Sequence, residues 1–330
     1  MEDIKKLFEL HVKDESSLLS FIEKNNLMEN DLAKIYEKRE ENDLAIKYYL
    51  MAIDKGNIKA MYNLGKYYEK KSNYELAEKY YLMAIENDEN FIKAIYNLGK
   101  YYEKMDKNDL AEKYYLMAHN IDKSNVHYIF KLALFYEEKI KKYKSAKLFY
   151  KMAVGMGDSG AMNNLGVFYE NIKKSVYKAK YYYKMAVIKG NTKAMNNLGC
   201  MYFSELDEEK NLKAEKYFKM AVKNGNTDGL SNLAMYYHLV QFDITKGIKY
   251  YLKAIKIGDS FAMYKLGRIY QYRKKFVTMR KYYFMAIAAS YINKPFYRLG
   301  QYYESIGDNI AAKYCYENSS LPKALIKLNN

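Results

Sequence analysis

Apolar residues fall at helical spacing along most of this chain. Ala60, Leu64 and Tyr68 lie at i, i+4 and i+8, and Ala77, Tyr81 and Ala84 at i, i+4 and i+7. Each set predicts a helix with one apolar face. The faces alternate small with large: Ala60, Gly65 and Ala84 let helix axes approach, while Leu64, Tyr68 and Tyr81 fill the grooves between them. The polar stretch 71–73 separates the two segments. A turn this short makes the paired helices antiparallel neighbours.

The pair recurs. A box leucine stands at Leu32, Leu64, Leu98, Leu132, Leu165, Leu198, Leu233, Leu266 and Leu299, at intervals of 32 to 35 residues. A fixed period of this size means stacked supersecondary units. Several second helices run into Gly followed by Asn or Asp, as at Gly56-Asn57, Gly157-Asp158, Gly190-Asn191, Gly225-Asn226 and Gly258-Asp259. Glycine ends one helix in the left-handed conformation and the next residue caps the helix that follows. Of the two prolines, Pro295 is expected near a helix start, where its missing N–H costs little.

In one unit Ala161, Leu165, Gly166, Tyr169, Ala179, Tyr183, Ala186 and Gly190 match the pattern A-x3-L-G-x2-Y, A-x3-[YF]-x2-A, Gly. The chain resembles the Sel1-like repeats, a branch of the tetratricopeptide superfamily, over about residues 28–320. It departs from them in lacking a Gly-rich turn between the paired helices, and its period is close to that of plain tetratricopeptide repeats. The expected fold is all-α: a right-handed α-solenoid of about nine helix–turn–helix repeats of 32–35 residues. The resemblance implies an adaptor or scaffold that brings proteins together. Residues 1–27 fall outside the period; 4–11 and 16–23 read as helices of an N-terminal cap. Residues 321–330 imitate the start of a further repeat, which reads as a truncated C-terminal capping helix.

Composition agrees with this reading. Half of the 330 residues are hydrophobic, enough for a core that runs from repeat to repeat. Forty tyrosines and no tryptophan point to Tyr filling aromatic core positions with its hydroxyl at the surface. The first residues carry both charge signs without a long apolar run, which does not read as an export signal. No segment reaches the ~20 apolar residues of a membrane span. Cys200 and Cys315 stand alone, so reduced thiols and a cytoplasmic location are expected.

No catalytic constellation emerges. His11, His119, His127 and His238 are scattered, without metal-ligand spacing. There is no phosphate-cradling loop, and the carboxylates are expected at exposed helix positions and turns. The expectation is a non-enzymatic protein with no cofactor or metal.

Charge is uneven. Residues 1–120 hold 19 Lys+Arg against 23 Asp+Glu, and residues 121–330 hold 36 against 16. Basic runs at 139–147, 173–184 and 273–281 fall at turns and second-helix starts. They suit acidic protein, and also nucleic acid or an anionic surface. Electrostatic binding through the basic portion and self-association as a structural protein therefore stand as alternatives to the scaffold.

The candidate partner site lies on the first helices, expected to line a concave groove. The residue before the box leucine is Asn63, Asn97, Asn164, Asn197 or Asn232, with Lys131, Lys265 and Arg298 at other equivalents. An amide both donates and accepts, so a row of them can pair with an extended peptide backbone; it resembles the asparagine ladders of peptide-binding tetratricopeptide superhelices. The cations would attract acidic side chains or a C-terminal carboxylate. Tyr62, Tyr96, Phe130, Tyr264 and Tyr297 beside them are expected to add flat apolar contacts.

Overall fold

Gly56, Gly157, Gly190, Gly225 and Gly258 all take positive φ, between 77° and 86°, and each ends a second helix. The side chain that follows then caps the next first helix. Asn57 Oδ1 accepts from Ala60 N at 3.0 Å, Asn191 Oδ1 from Ala194 N at 2.9 Å, and Asp259 Oδ1 from Ala262 N at 2.9 Å. The computed structural model describes residues 28–205, 207–291 and 293–329; the proposed N-terminal cap lies outside them.

The described residues form nineteen helices and no strand. Two compact units divide at Met156/Gly157. The first holds four helix pairs: α1 Glu29–Lys38 with α2 Asn42–Asp54, α3 Ile58–Lys70 with α4 Tyr74–Asn87, α5 Ile92–Lys104 with α6 Asn108–Ile121, and α7 Val126–Glu138 with α8 Tyr143–Gly155. The second holds five: α9 Ser159–Asn171 with α10 Val176–Ile188, α11 Thr192–Phe203 with α12 Glu208–Lys223, α13 Asp228–Leu239 with α14 Ile244–Lys256, α15 Ser260–Tyr272 with α16 Phe276–Ala288, and α17 Asn293–Ser305 with α18 Asn309–Glu317. A last helix, α19 Pro322–Asn329, packs on α18. Within each unit the pairs stack as a helix–turn–helix solenoid, each second helix touching the next first helix. Pro295 falls in the first turn of α17.

Most turns inside a repeat use no glycine, Gly307 in the ninth being an exception. Ser72, Asp106, Lys141, Lys174 and Lys274 take φ of 61°, 55°, 58°, 49° and 55°. Side chains other than Gly meet their own carbonyl in this region, at about 1 kcal/mol or more per residue. Lys174 is exposed and adds no contact that would offset this strain. Lys174→Gly should therefore raise the stability of its unit by roughly 0.5–1 kcal/mol in a urea titration. A loss of stability would refute this account of the turn.

Three interlocking layers explain the composition. All nine box leucines are buried. The box glycine lies under the ring of a second-helix tyrosine: a Cβ built on Gly65 would sit 2.8 Å from Tyr81 Cδ1, and on Gly166 2.6 Å from Tyr183 Cδ1. Where Ala33 and Ala234 replace the glycine, they still share a core cluster with Tyr49 and Tyr251. Four residues after the leucine, a further aromatic stacks on the second helix. Tyr36–Tyr48, Tyr68–Tyr80, Tyr169–Tyr182 and Tyr270–Tyr282 have ring centroids 5.3, 5.7, 5.5 and 5.6 Å apart and planes within 8° of parallel. The tyrosines at these positions are thus consumed in packing, and many hydroxyls end on carboxylates at the rim.

Candidate partner-binding face of the first helices

The residue before the box leucine is turned about 100° from it around the helix. Since the leucine faces the core, its predecessor lies at the edge of the interface with the neighbouring repeat. All eight candidates at this position are half-buried. Their donors are used between repeats. Asn63 Nδ2 donates to Asn30 Oδ1 at 2.9 Å and Asn97 Nδ2 to the Tyr62 hydroxyl at 3.1 Å. In the second unit Asn197 Nδ2 donates to Asn163 Oδ1 at 3.1 Å, and Asn232 Nδ2 to Asn196 Oδ1 at 2.8 Å. In each case the acceptor stands two places before the box leucine of the preceding repeat. Asn164 instead accepts from Asn163 Nδ2 at 3.0 Å.

The three cations behave differently. Lys131 Nζ lies 2.7 Å from Glu103 Oε2. Arg298 Nη1 donates to Gln301 Oε1 at 3.1 Å. Lys265 has no carboxylate partner among the described residues and lies over the Phe261 ring, 4.9 Å from its centroid. Burial, then the charges of Arg268 and Lys294, hold its ammonium below the usual lysine range.

The neighbouring aromatics face inward. Tyr62 packs on Tyr81, Tyr96 on Tyr115, Phe130 on Tyr150, Tyr264 on Tyr283 and Tyr297 on Tyr316, with centroids 5.7 to 6.1 Å apart. Their rings wedge the two helices of a repeat together. Tyr264 is buried outright and the others are half-buried.

Not every carboxylate is exposed, contrary to expectation. Five residues after the box leucine a glutamate accepts from the buried second-helix tyrosine. Tyr49–Glu37 is 2.9 Å, Tyr81–Glu69 2.6 Å, Tyr150–Glu137 2.6 Å, Tyr183–Glu170 2.7 Å and Tyr316–Glu304 2.6 Å; Tyr115 makes the same bond to Glu103. The signal was present in the sequence, because an acid recurs at this place in six of the nine repeats. It is interrupted three times, by Phe203, His238 and Gln271. Phe203 faces Phe218 edge-on, and Gln271 Oε1 accepts from Tyr283 at 2.7 Å. His238 is the exception.

The charge asymmetry persists at the unit boundary, though less steeply than at residue 120. Residues 1–156 hold 27 Lys+Arg against 26 Asp+Glu, and residues 157–330 hold 28 against 13. Burial pushes the thiols of both Cys200 and Cys315 up to about 11. No cluster of three or more His, Cys, Asp or Glu among the described residues could hold a metal ion. No described helix is long and apolar enough to cross a membrane.

Comparison with known proteins agrees with this architecture. The tetratricopeptide repeat model matches residues 58–91 and 92–125. The Sel1 repeat model matches 33–57, 159–191, 192–226, 228–259 and 260–278. No curated protein matches the chain. Among solved structures, c5321, a protective antigen of uropathogenic Escherichia coli displaying an SLR fold, aligns with a TM-score of 0.56 and 22% identity over 91% of this chain and 70% of that one. Human IFIT1, solved as a dimer with m7Gppp-AAAA, aligns with a TM-score of 0.55 and 16% identity over 99% of this chain and 84% of that one. A Sel1 repeat protein from Oxalobacter formigenes is 27% identical over 69% of this chain and 97% of that one, with a TM-score of 0.48. At such identities c5321 and IFIT1 speak to fold alone. Two repeat models that share the chain between them, on helix pairs of the matching period, lead to one conclusion: the chain belongs to the Sel1/tetratricopeptide repeat superfamily, a non-catalytic class of helical repeat generally used for protein–protein interaction.

Proposed function

We propose that this protein is a non-enzymatic scaffold that holds an extended, acidic segment of a partner protein along its first helices. The observation that carries this reading is the state of the asparagine row. Asn63 and Asn97 in one unit, and Asn197 and Asn232 in the other, spend Nδ2 on the neighbouring repeat. That bond fixes the side chain, while no described residue donates to its Oδ1. A fixed acceptor costs little to order when a partner N–H arrives. Adjacent first helices touch within each unit, as α1 does α3 and α11 does α13. Packed helices lie about 8–10 Å apart and an extended chain advances about 3.3 Å per residue, so one amide would meet roughly every third residue of the segment. The excess of Lys and Arg in residues 157–330 favours an acidic one.

The test uses a partner segment captured from lysate after nuclease treatment and a high-salt wash. Its affinity is measured for the wild type, for Asn197→Ala with Asn232→Ala, and for Asn163→Ala with Asn196→Ala. Both double variants break the same inter-repeat bonds, but only the first removes the amide oxygens. The first should weaken binding roughly tenfold or more, one to two hydrogen bonds' worth. The second should lower thermal stability and leave affinity within about threefold. Equal losses in the two would reduce the asparagines to braces. Capture that vanishes with nuclease would favour the nucleic-acid alternative.

A further inference from the structure

The seventh repeat breaks the rule that a buried second-helix tyrosine ends on a carboxylate. Its tyrosine is Tyr251, fully buried in α14. Its hydroxyl is buried and has no hydrogen-bond partner among the described residues. The place of the glutamate is taken by His238, and the side chains do not bond.

The fourth repeat shows what is missing. There Lys131, just before the box leucine, reaches back to Glu103 of the repeat before it, and Glu103 also accepts from Tyr115. Phenol, carboxylate and ammonium form one group. The same three places in the seventh and eighth repeats hold Tyr251, His238 and Lys265. The phenol and the ammonium are retained and the carboxylate between them is gone.

Further positive charge gathers at this point. Arg268 and Arg273 line the same cavity as Tyr251, His238 and Lys265, a space of about 340 Å³ whose other walls are Leu239, Ile244, Ile269 and Tyr272. None of the three cations has an ion pair among the described residues. His238 does not add a fourth charge: burial, then Lys265, Arg268 and Arg273, hold its imidazole below its ordinary 6.5. Elsewhere in the unit some cations do find acids, as Lys180 and Lys210 both do at Glu205. A buried hydroxyl without a partner is costly, and so is a half-buried ammonium, Lys265, repelled by the exposed guanidinium of Arg268. One anion relieves both.

We propose that the seventh and eighth repeats form a binding site for a small organic anion. Its anionic head takes the place that the glutamate carboxylate holds in the other repeats, bonded by the Tyr251 hydroxyl and Lys265 Nζ and faced by Arg268 and Arg273. Its apolar body lies against Leu239, Ile244 and Ile269. The volume is that of a small-molecule pocket, mostly apolar with a few convergent polar groups. Carboxylate and phosphate-monoester heads share the required chemistry: oxygens that accept from a phenol and from cations. This site is independent of the partner-segment reading, since it needs neither the asparagine row nor a protein ligand.

The experiment is calorimetric titration of the full chain with octanoate, phenyl phosphate and inorganic phosphate, with melting curves run in parallel. One organic anion should bind at one site and more tightly than inorganic phosphate; octanoate ahead assigns a carboxylate head, phenyl phosphate ahead a phosphate head. His238→Glu should restore the carboxylate of the other repeats. It should weaken the preferred anion by roughly thirtyfold or more and yet raise the melting temperature, because Tyr251 gains its acceptor. Lys265→Met should weaken binding roughly tenfold without loss of fold. No saturable binding of either organic anion at millimolar concentration would overturn the proposal. So would binding that both substitutions leave unchanged, or binding no tighter than that of inorganic phosphate.

Discussion

Tyr183→Ala should destabilise the unit that begins at Gly157 by about 4 kcal/mol, the upper part of the range for removing a buried aromatic. Tyr183 is fully buried. Its ring fills the space that Gly166 leaves, so close that a Cβ there would lie 2.6 Å from Cδ1. The pair was shaped together: Gly166 has no side chain that could move in to fill the void. The hydroxyl end is lost as well, since Glu170 Oε2 accepts from it at 2.7 Å. Tyr183→Phe separates the two parts. It keeps the ring and should cost only about 1 kcal/mol, the net worth of a typical hydrogen bond. In a repeat protein the damage spreads mainly to nearest neighbours. Hydrogen exchange should therefore show lost protection first in α9 to α12, ahead of α17 and α18. A loss below about 1.5 kcal/mol for the alanine variant, well under the cavity range, would mean the repeat closes over the gap and the ring is not its keystone.

Glu103→Ala should cost about 3 kcal/mol, the lower end for breaking a buried pair. Two groups depend on this carboxylate. Tyr115, 1% exposed, bonds it through its hydroxyl, and Lys131 Nζ approaches to 2.7 Å. Without it a buried hydroxyl and a half-buried ammonium are both left without an acceptor. Glu103→Gln is the informative control. Gln271 already serves Tyr283 in the eighth repeat at 2.7 Å, so an amide fits the place. The glutamine variant should lose no more than about 1 kcal/mol, since a neutral acceptor remains. Urea unfolding of both variants checks this. Equal losses would show that charge, rather than a filled acceptor position, is what the site requires.

These effects depend on pairings that the sequence only half reveals. The asparagines before the box leucines were visible as a row, and so was their capacity to donate and accept. Their donors turned out to be committed because each partner, such as Asn30 for Asn63 or Asn196 for Asn232, lies one whole repeat away. A single-sequence reading has no distance between repeats, so it cannot tell an amide that faces a ligand from one that faces its neighbour. The aromatics beside them have the same history. Tyr62 and Tyr96 stand at a helix edge, and only the second-helix rings of Tyr81 and Tyr115 turn them inward.

What the amino-acid sequence determined by itself was everything with a local cause. The period follows from box leucines 32 to 35 residues apart, the helix ends from glycines whose φ is positive, and the caps from the Asn or Asp beside them. Each is decided by a residue and its immediate neighbours, where sterics and short-range hydrogen bonds suffice. The tertiary structure alone decided which donors were already used and which were left over. Replacing glutamate by His238 is an ordinary surface change on paper. It becomes an anion pocket because a buried phenol from α14 and cations from α15 converge on that one place, and convergence from separate elements is a property of packing, not of spacing.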